Sequence, residues 1–275
     1  MKRIIILTLI AAVTLSSVLR HPSPAYADAP KLSSLYLEEL TWQEVNTAIQ
    51  SGYTTVIIPT GSTEENGPQL VLGTHSSIVR YTAGEIARGV GNTLVAPVIP
   101  YSPAGRISPP EGHMLFAGTV SLSDNTYSQM LEEIIRSLKH HGFRRICLIG
   151  DHKGSQLVQW KLAEKLTNDW KPDRVQVLDV TDYFLRNGQE EWNEVNGKVP
   201  DPKAHGGHIE TSEMLAVDTT GVRDSLRGAH SEHDYKFTGA EGDSSQASAN
   251  YGHKFLGLKI EAAIKQIQDA ASKTK

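Results

Sequence analysis

Two patterns in the sequence predict an α/β fold of three layers, in which helices cover both faces of a mostly parallel central sheet. Short β-branched runs alternate along the chain with segments of helical periodicity, and these runs are apolar at consecutive positions. Strands buried on both faces lack the alternation of a half-exposed sheet, and strands that alternate with helices favour parallel pairing. The predicted layer order is therefore helix, sheet, helix.

The predicted strands are short apolar runs. The first is 54–59, Thr-Thr-Val-Ile-Ile-Pro, and the others are expected at 93–97, 145–149 and 175–178. The single cysteine, Cys147, lies in the third of these strands. There, a small buried core residue is a better interpretation than a catalytic thiol.

The predicted helices occupy the intervals between the strands. They are expected at 76–90, from Ser123 to Gly142, at 155–168, over 211–217 and from residue 255 onwards. Ser123 can cap its helix, and Asp124 suits the positive end of the helix dipole. Residues 28–42 are expected to be extended. The Pro- and Gly-rich stretch 102–118 is expected to be a long loop, and such loops often carry function.

The composition is that of an ordinary globular protein. Hydrophobic residues make up 39% and charged residues 21% of the 275 residues, which argues against a disordered or disulfide-stapled chain. The 27 Lys and Arg do not outnumber the 31 Asp and Glu, and no basic run occurs, so we expect no nucleic-acid partner. Residues 28–275 are predicted to form a single domain.

Residues 1–27 have the pattern of a secretory signal peptide. Lys2 and Arg3 precede a mostly apolar run, 4–19, and Ala25-Tyr26-Ala27 supplies a small-residue cleavage signal. The alternative is an uncleaved anchor helix, but the apolar run is short for a membrane span. We therefore expect an exported protein, periplasmic or secreted, that has no membrane attachment after cleavage.

Polar clusters lie at the ends of predicted elements. Glu64 follows the first strand, His152 follows the third, and His75 and residues 205–212 precede helices. Open α/β sheets bind ligands outside the carboxyl ends of their strands, and a carboxylate with several imidazoles suits zinc. On spacing alone, surface histidines and turn residues are an equal alternative, because the chain has neither an H-E-x-x-H motif nor a cysteine framework.

Longer motifs favour a functional site. Residues 61–75 read G-S-T-E-E-N-G-P-Q-L-V-L-G-T-H, and further motifs occupy 111–122, 141–155, 205–212 and 238–243. These stretches resemble motifs of the creatininase (creatinine amidohydrolase) family, occur in family order and cover about 36–265. The resemblance implies a three-layer α/β fold, a two-metal site that hydrolyses cyclic or linear amides of small molecules, and a homo-oligomer, often a hexamer.

The sequence departs from the family pattern at several metal-ligand positions. Glu64 and His152 stand where the family has a glutamate and a histidine ligand. However, Asn66 replaces a histidine, His75 replaces the aspartate that bridges the two metals, and His208 replaces a glutamate. Two divalent ions close together need bridging negative charge. We therefore expect the site to hold a single divalent metal ion.

The resemblance and the ligand chemistry together predict the roles of the site residues. The metal ion is expected to be Zn²⁺, with Mn²⁺ as second choice; a metal-free site with Lys153 as a resident cation is the remaining alternative. The predicted metal ligands are Glu64, His75, His152 and His208. The predicted catalytic residues are Glu64 and His205, of which His205 delivers a proton to the leaving nitrogen. The predicted substrate-binding residues are Asn66, His113 and Lys153.

The functional hypothesis is an exported, metal-dependent hydrolase that cleaves a C–N bond of a small amide, or a lactone, through metal-activated water. Two alternatives stay open. The chain could have lost hydrolysis and bind a small molecule in the old pocket. It could also be a non-hydrolytic enzyme, such as an isomerase or cyclase, that uses its histidines for acid–base chemistry.

Overall fold

In the computed structural model, the described residues are 32–197, 205–231 and 233–273. Within them, a central sheet forms from the four apolar runs, in agreement with the predicted strands. Its strands are β1 (Thr55–Thr60), β2 (Thr93–Val95), β3 (Arg145–Gly150) and β4 (Gln176–Asp179). They are all parallel, in the order β2–β1–β3–β4. A separate two-stranded ribbon pairs β5 (Ala229–His230) with β6 (Gly242–Asp243).

Helices lie on both sides of the sheet. They are α1 (Trp42–Gln50), α2 (Thr74–Val90), α3 (Asp124–His140), α4 (Gln156–Asp169), α5 (Gln189–Trp192), α6 (His208–Val217), α7 (Tyr235–Thr238) and α8 (Ala249–Ser272). The α3 helix begins as predicted, because the Ser123 side chain accepts a hydrogen bond from Thr126 N. The prediction of an α/β fold with a parallel sheet flanked by helices is confirmed.

Alternate residues of each strand supply two separate cores. On one face, Val56 of β1 packs in a cluster with residues of α1, α3 and α4, such as Leu131 and Leu166. On the other face, Ile57 packs with Val79 of α2 and residues of α8. Cys147 lies fully buried in this second core, as its sequence context indicates. Burial on both faces explains why the strands are apolar without alternation.

One helix differs from the sequence-based expectation. Residues up to 42 were expected to be extended and no helix was predicted before β1, yet α1 begins at Trp42. Thr41 and Glu44 form a capping box, in which Glu44 Oε2 accepts from Thr41 N at 2.7 Å. The T-x-x-E spacing is the local signal that identifies this start.

The predicted signal peptide, 1–27, lies outside the described residues. None of the described helices combines the length and the apolar character needed to cross a membrane.

The sheet places two polar segments side by side. In the register of β1 and β3, Thr60 pairs with Gly150, so the strands end at the same edge of the sheet. The segments 61–75 and 151–155 therefore leave the sheet next to each other, at the carboxyl ends of parallel strands where α/β folds bind ligands.

Candidate metal centre

Glu64 is the central carboxylate of the site. It follows β1 after Gly61, which packs closely against Ser76: a Cβ atom at Gly61 would lie only 2.6–2.7 Å from atoms of Ser76. The side chain is fully buried, and Ser62 Oγ donates a hydrogen bond of 2.6 Å to Oε2. Glu64 Oε1 is buried yet has no hydrogen-bond partner among the described residues.

Three histidines direct the same ring nitrogen, Nε2, towards this carboxylate. His152 Nε2 lies 2.9 Å from Glu64 Oε2. His75 Nε2 lies 3.3 Å, and His113 Nε2 lies 3.9 Å, from Glu64 Oε1. They come from three different segments: the turn after β3, the start of α2 and the long loop. The tertiary structure thus builds a set of one carboxylate and three imidazoles.

The opposite nitrogen of each ring is held by an oxygen atom. His75 Nδ1 lies 3.2 Å from Asp151 Oδ2. His152 Nδ1 lies 3.0 Å from the hydroxyl of Ser102. A metal-binding histidine is usually oriented in this way, by a carboxylate or another oxygen on its second nitrogen.

Glu65 holds the third histidine and lies in contact with a fourth. Both Glu65 carboxylate oxygens lie 2.9 Å from His113 Nδ1, and Tyr235 donates a hydrogen bond of 2.9 Å to Oε1. His205 Nε2 lies 2.7 Å from the Glu65 carbonyl oxygen. Ligand atoms of Glu64, His113 and His205 all lie within 4.8 Å of one another.

The charges in the site shift several pKa values. Burial alone would raise the pKa of Glu64, but the neighbouring His152 and His75 outweigh it and hold the pKa well below its usual range. Burial alone would lower the pKa of His75, but Asp151 and Glu64 raise it well above its ordinary value. For His205, Glu65 and two further glutamates outweigh burial and raise the pKa to about 9. His205 therefore carries a proton at neutral pH.

A second buried charge cluster adjoins His75. Lys259 Nζ, on α8, lies 2.8 Å from Asp151 Oδ1 and 3.1 Å from the carboxylate of Glu213 on α6. Tyr183 donates a hydrogen bond of 2.7 Å to Asp151 Oδ1, and Gln189 donates one of 2.6 Å to Glu213. Each charge in this cluster therefore has a partner, as buried ions require.

Both clusters open into one cavity of about 560 Å³, a size that suits a small-molecule ligand. The buried side chains of Glu64, His75 and Lys259 are among its lining. Other lining residues are His113, Asp151, His152, Lys153, Phe184, Leu185, Asn187, Gly188, Gln189, Glu190, Glu191, His205, Ile209, Glu210, Glu213, Tyr235 and Glu241.

Five of the predicted site residues come together around Glu64. They are Glu64 itself, His75, His113, His152 and His205. His113, expected to bind substrate, instead lies with the predicted metal ligands. Lys153, also expected to bind substrate, lies exposed at the edge of the cavity.

The structure places two predicted residues away from the cavity. His208, expected to be a metal ligand, is fully buried between α6 and α8, with its ring 4.8 Å from that of Tyr251 and 5.7 Å from that of Phe255. Asn66, expected to bind substrate, is fully buried, and its amide donates to the Glu64 carbonyl oxygen at 3.2 Å. Neither residue is among those that line the cavity.

The residues present fit a divalent ion. Glu64 Oε1 is a buried acceptor without a hydrogen-bond partner in the described chain, and three imidazole nitrogens face its carboxylate. Among the described residues, the ligand atoms of Glu64, His113 and His205 lie close enough together to share one ion, and a carboxylate with imidazoles is a kind of ligand set that Zn²⁺ accepts.

Sequence reasoning missed the residues that hold the histidines. Asp151 precedes His152 in the sequence and Glu65 follows Glu64, so their positions next to predicted ligands could have identified both. The signal for Lys259 is weaker. It is a charged residue flanked by Leu258 and Ile260 in an amphipathic helix, which indicates partial burial but does not identify the residues that it contacts.

Comparison with known proteins agrees with this architecture. Residues 38–267 match the creatininase family, described as creatinine amidohydrolase. Creatinine amidohydrolase from Pseudomonas putida is 28% identical over 67% of this chain and 72% of its own length. Mycofactocin precursor peptide peptidase from Mycolicibacterium smegmatis is 30% identical over 61% of this chain and 59% of its own length.

A solved structure shows the same fold. A mutant creatininase described as "Zn-Zn type" superposes with a TM-score of 0.70 at 22% identity, over 87% of this chain and 99% of that chain. The family match covers most of the chain, and the fold agrees with it. The chain belongs to the creatininase family.

Proposed function

We propose that this protein is a metal-dependent hydrolase that cleaves a C–N bond of a small cyclic or linear amide, or a lactone. One observation carries the proposal: three histidines direct Nε2 towards the Glu64 carboxylate while oxygen atoms hold their Nδ1 atoms. Fixed imidazoles around a buried carboxylate suit metal binding better than they suit a purely structural role.

The metal ion would be held by Glu64 and His113, whose ligand atoms lie within 4.8 Å of each other, with His75 and His152 facing the same carboxylate. Zn²⁺ is the expected ion, because zinc accepts both imidazole nitrogen and carboxylate oxygen as ligands, and Mn²⁺ is the second choice. A bound ion of this kind polarises a substrate carbonyl and lowers the pKa of water.

The other residues of the site bind substrate and move protons. His205 is protonated at neutral pH, since its pKa is raised to about 9. Its Nε2 faces the Glu65 carbonyl oxygen at 2.7 Å, so the transferable proton is on Nδ1. We assign to this proton the protonation of the leaving nitrogen. Lys153, at the edge of the cavity, is available to contact the substrate.

The cavity volume of about 560 Å³ favours a small substrate over a folded protein. A relative in the same family is described as a peptide peptidase, so short peptides belong in the substrate panel. Non-peptide amides remain the proposed class.

The test is a hydrolysis screen of the zinc- and manganese-loaded protein against cyclic amides, linear amides, lactones and short peptides. We expect turnover of a non-peptide amide or lactone, and its loss in His152→Ala. The matched control is His253→Ala, which removes an exposed histidine of α8. Metal-loaded protein that hydrolyses no compound but is stabilised by one of them would favour the binding-protein alternative. Turnover of peptides alone would overturn the non-peptide class.

Export and assembly are further parts of the proposal. The positive start, the apolar run and the Ala25-Tyr26-Ala27 signal support cleavage before Asp28 and release into the periplasm or medium. The mass of the exported protein tests this, since retention of Met1 would contradict it. A homo-hexamer is proposed from the family resemblance, and light scattering after size-exclusion chromatography measures it.

A further inference from the structure

Residues 184–191 form a continuous wall of the cavity, and the proposed reaction gives them no role. Every residue of this segment except Arg186 lines the cavity. The segment follows Tyr183 and continues into α5, which begins at Gln189. It is called the 184–191 wall below.

Both ends of the wall are anchored to buried carboxylates that adjoin the metal centre. Tyr183 is fully buried and donates a hydrogen bond of 2.7 Å to Asp151 Oδ1. Gln189, also buried, donates one of 2.6 Å to the Glu213 carboxylate. Lys259 contacts the two carboxylates at 2.8 Å and 3.1 Å and so joins the two anchors. The buried charge cluster therefore fixes the wall at two points.

The wall also holds its own shape between these anchors. Asn187 Nδ2 donates a hydrogen bond of 3.0 Å to the Tyr183 carbonyl oxygen, and Asn187 Oδ1 accepts one of 3.0 Å from Gln189 N. Gly188 has a φ of 77°, a left-handed conformation that glycine adopts without strain. A surface that is ordered before its ligand arrives loses less conformational entropy on binding, so the wall suits recognition.

The wall presents an apolar surface and then two carboxylates. Phe184 is half-buried, and Leu185 is 58% exposed although it lines a cavity. Glu190 and Glu191 are exposed, and neither forms an ion pair within the described part of the chain. A ligand that combines an aliphatic chain with a positive charge matches both features.

The remaining lining adds further negative charge. Glu210 and Glu241 are half-buried and have no lysine or arginine partner among the described residues. Outside the buried cluster, Lys153 is the one lysine or arginine in the described lining, and it is exposed. Charges of one sign that line a concave site strengthen each other's potential, so this cavity attracts cations.

A separate observation marks the cavity as a ligand site. Glu64 is fully buried, lines the cavity and leaves Oε1 without a hydrogen-bond partner among the described residues. The acidic side chains of the lining therefore surround a site that already requires a ligand on other grounds.

We propose that the 184–191 wall selects an amide whose far end carries a primary ammonium group on an aliphatic chain. Phe184 and Leu185 contact the chain, and Glu190 and Glu191 bind the ammonium group. The inference rests on the proposed function, because it places the amide at the metal centre.

Two probes of equal length test the charge preference. They are ε-aminocaproamide and ε-hydroxycaproamide, which end in an ammonium and in a neutral hydroxyl group. NMR titration of protein that has been incubated with Zn²⁺ gives the affinity for each. At low salt, we expect the ammonium probe to bind about 5- to 10-fold more tightly, because two carboxylates face one cation. The preference should shrink as the salt concentration rises.

Three variants assign the preference to the wall. Glu190→Gln/Glu191→Gln should reduce it to about 2-fold, because both carboxylates become neutral amides. The matched control is Glu164→Gln/Glu261→Gln, which removes two exposed glutamates outside the cavity and should leave the preference unchanged. Leu185→Ala should weaken both probes by a similar factor of about 3, because apolar contact is lost equally from each.

Each outcome decides the inference. An ammonium probe that does not bind, or binds no better than the hydroxyl probe, would overturn it. A preference that survives in Glu190→Gln/Glu191→Gln would also overturn it. So would an equal loss in the control, because the preference would then come from the net charge of the whole protein. A wild type that prefers the ammonium probe but hydrolyses no compound of the screen would contradict the proposed function and leave the selection of a cationic ligand supported.

Discussion

His113 and Glu65 form the contact that brings the long loop into the metal centre. Both Glu65 carboxylate oxygens lie 2.9 Å from His113 Nδ1, which leaves Nε2 facing Glu64 at 3.9 Å. The contact joins residues 48 positions apart in the chain. It converts a loop histidine into a candidate metal ligand and leaves His208, at the start of α6, outside the set.

This contact predicts that zinc affinity depends on His113 but not on His208. His113→Ala should weaken zinc binding by at least about 10-fold, because it removes a nitrogen from the ligand set; changes even to outer partners of a metal site cost about 10–100-fold. His208→Ala should leave the zinc affinity within about 2-fold of the wild type, because its ring packs on Tyr251 and Phe255. Calorimetric titration of both variants measures the difference. A stronger loss in His208→Ala than in His113→Ala would restore His208 as the ligand.

Glu65→Gln tests the carboxylate that orients the histidines. The amide keeps a hydrogen-bond acceptor for His113 but loses the negative charge, so zinc affinity should fall about 10-fold. The same charge helps raise the pKa of His205 to about 9, so this pKa should fall in the variant. NMR titration of the His205 ring reports the second effect directly. An unchanged His205 pKa would show that Glu65 does not set its protonation. The control is Glu190→Gln, which removes an exposed glutamate at the outer edge of the cavity.

Replacing the buried Asp179 should stabilise the fold, and the gain should depend on pH. Burial raises the pKa of this carboxyl from 3.8 to about 6, so the folded state binds its proton more tightly than the unfolded state. The folded state therefore loses stability as the pH rises from about 4 through 6. Asp179→Asn should raise the free energy of unfolding by about 3 kcal/mol near pH 7.5 and by about half as much at pH 5, since one pKa unit corresponds to about 1.4 kcal/mol. Urea unfolding at the two pH values measures it. An equal gain in the free energy of unfolding at both pH values would contradict the assigned pKa.

The buried His208 should make the fold less stable as the pH falls, whereas Asp179 makes it less stable as the pH rises. Both ring nitrogens are buried without a hydrogen-bond partner in the described residues, and burial lowers the pKa of the ring. A histidine with a lowered pKa resists protonation in the folded state, so its contribution to stability is lost as the pH falls below about 6.5. His208→Phe keeps the aromatic packing and removes the buried polar atoms, and should stabilise the fold by about 1–3 kcal/mol. The gain should be larger at pH 5.5 than at pH 8, as measured by thermal unfolding. A loss of stability at both pH values would indicate that the His208 ring nitrogens do form hydrogen bonds.

The strands and most helices could be predicted because their signals are local. The β-branched run that became β1 and the Ser123 cap of α3 are each contained in a few neighbouring residues. Helix α1 had such a signal too, in Thr41 and Glu44, although its apolar periodicity is short. Long-range partners carry no signal of this kind, and the contact between Lys259 and Asp151, which lie 108 residues apart, shows why.

The sequence by itself determined the fold class and the positions of Glu64 and His152, because both follow strands that end at the same edge of a parallel sheet. Only the tertiary structure decided which other histidines join them. His113 lies near Glu64 because of the path of a loop that has no helical or strand periodicity. The His208 ring lies between α6 and α8, against Tyr251 and Phe255, and not in the site. The direction of a side chain at a helix start depends on what the helix packs against, and that information lies elsewhere in the chain.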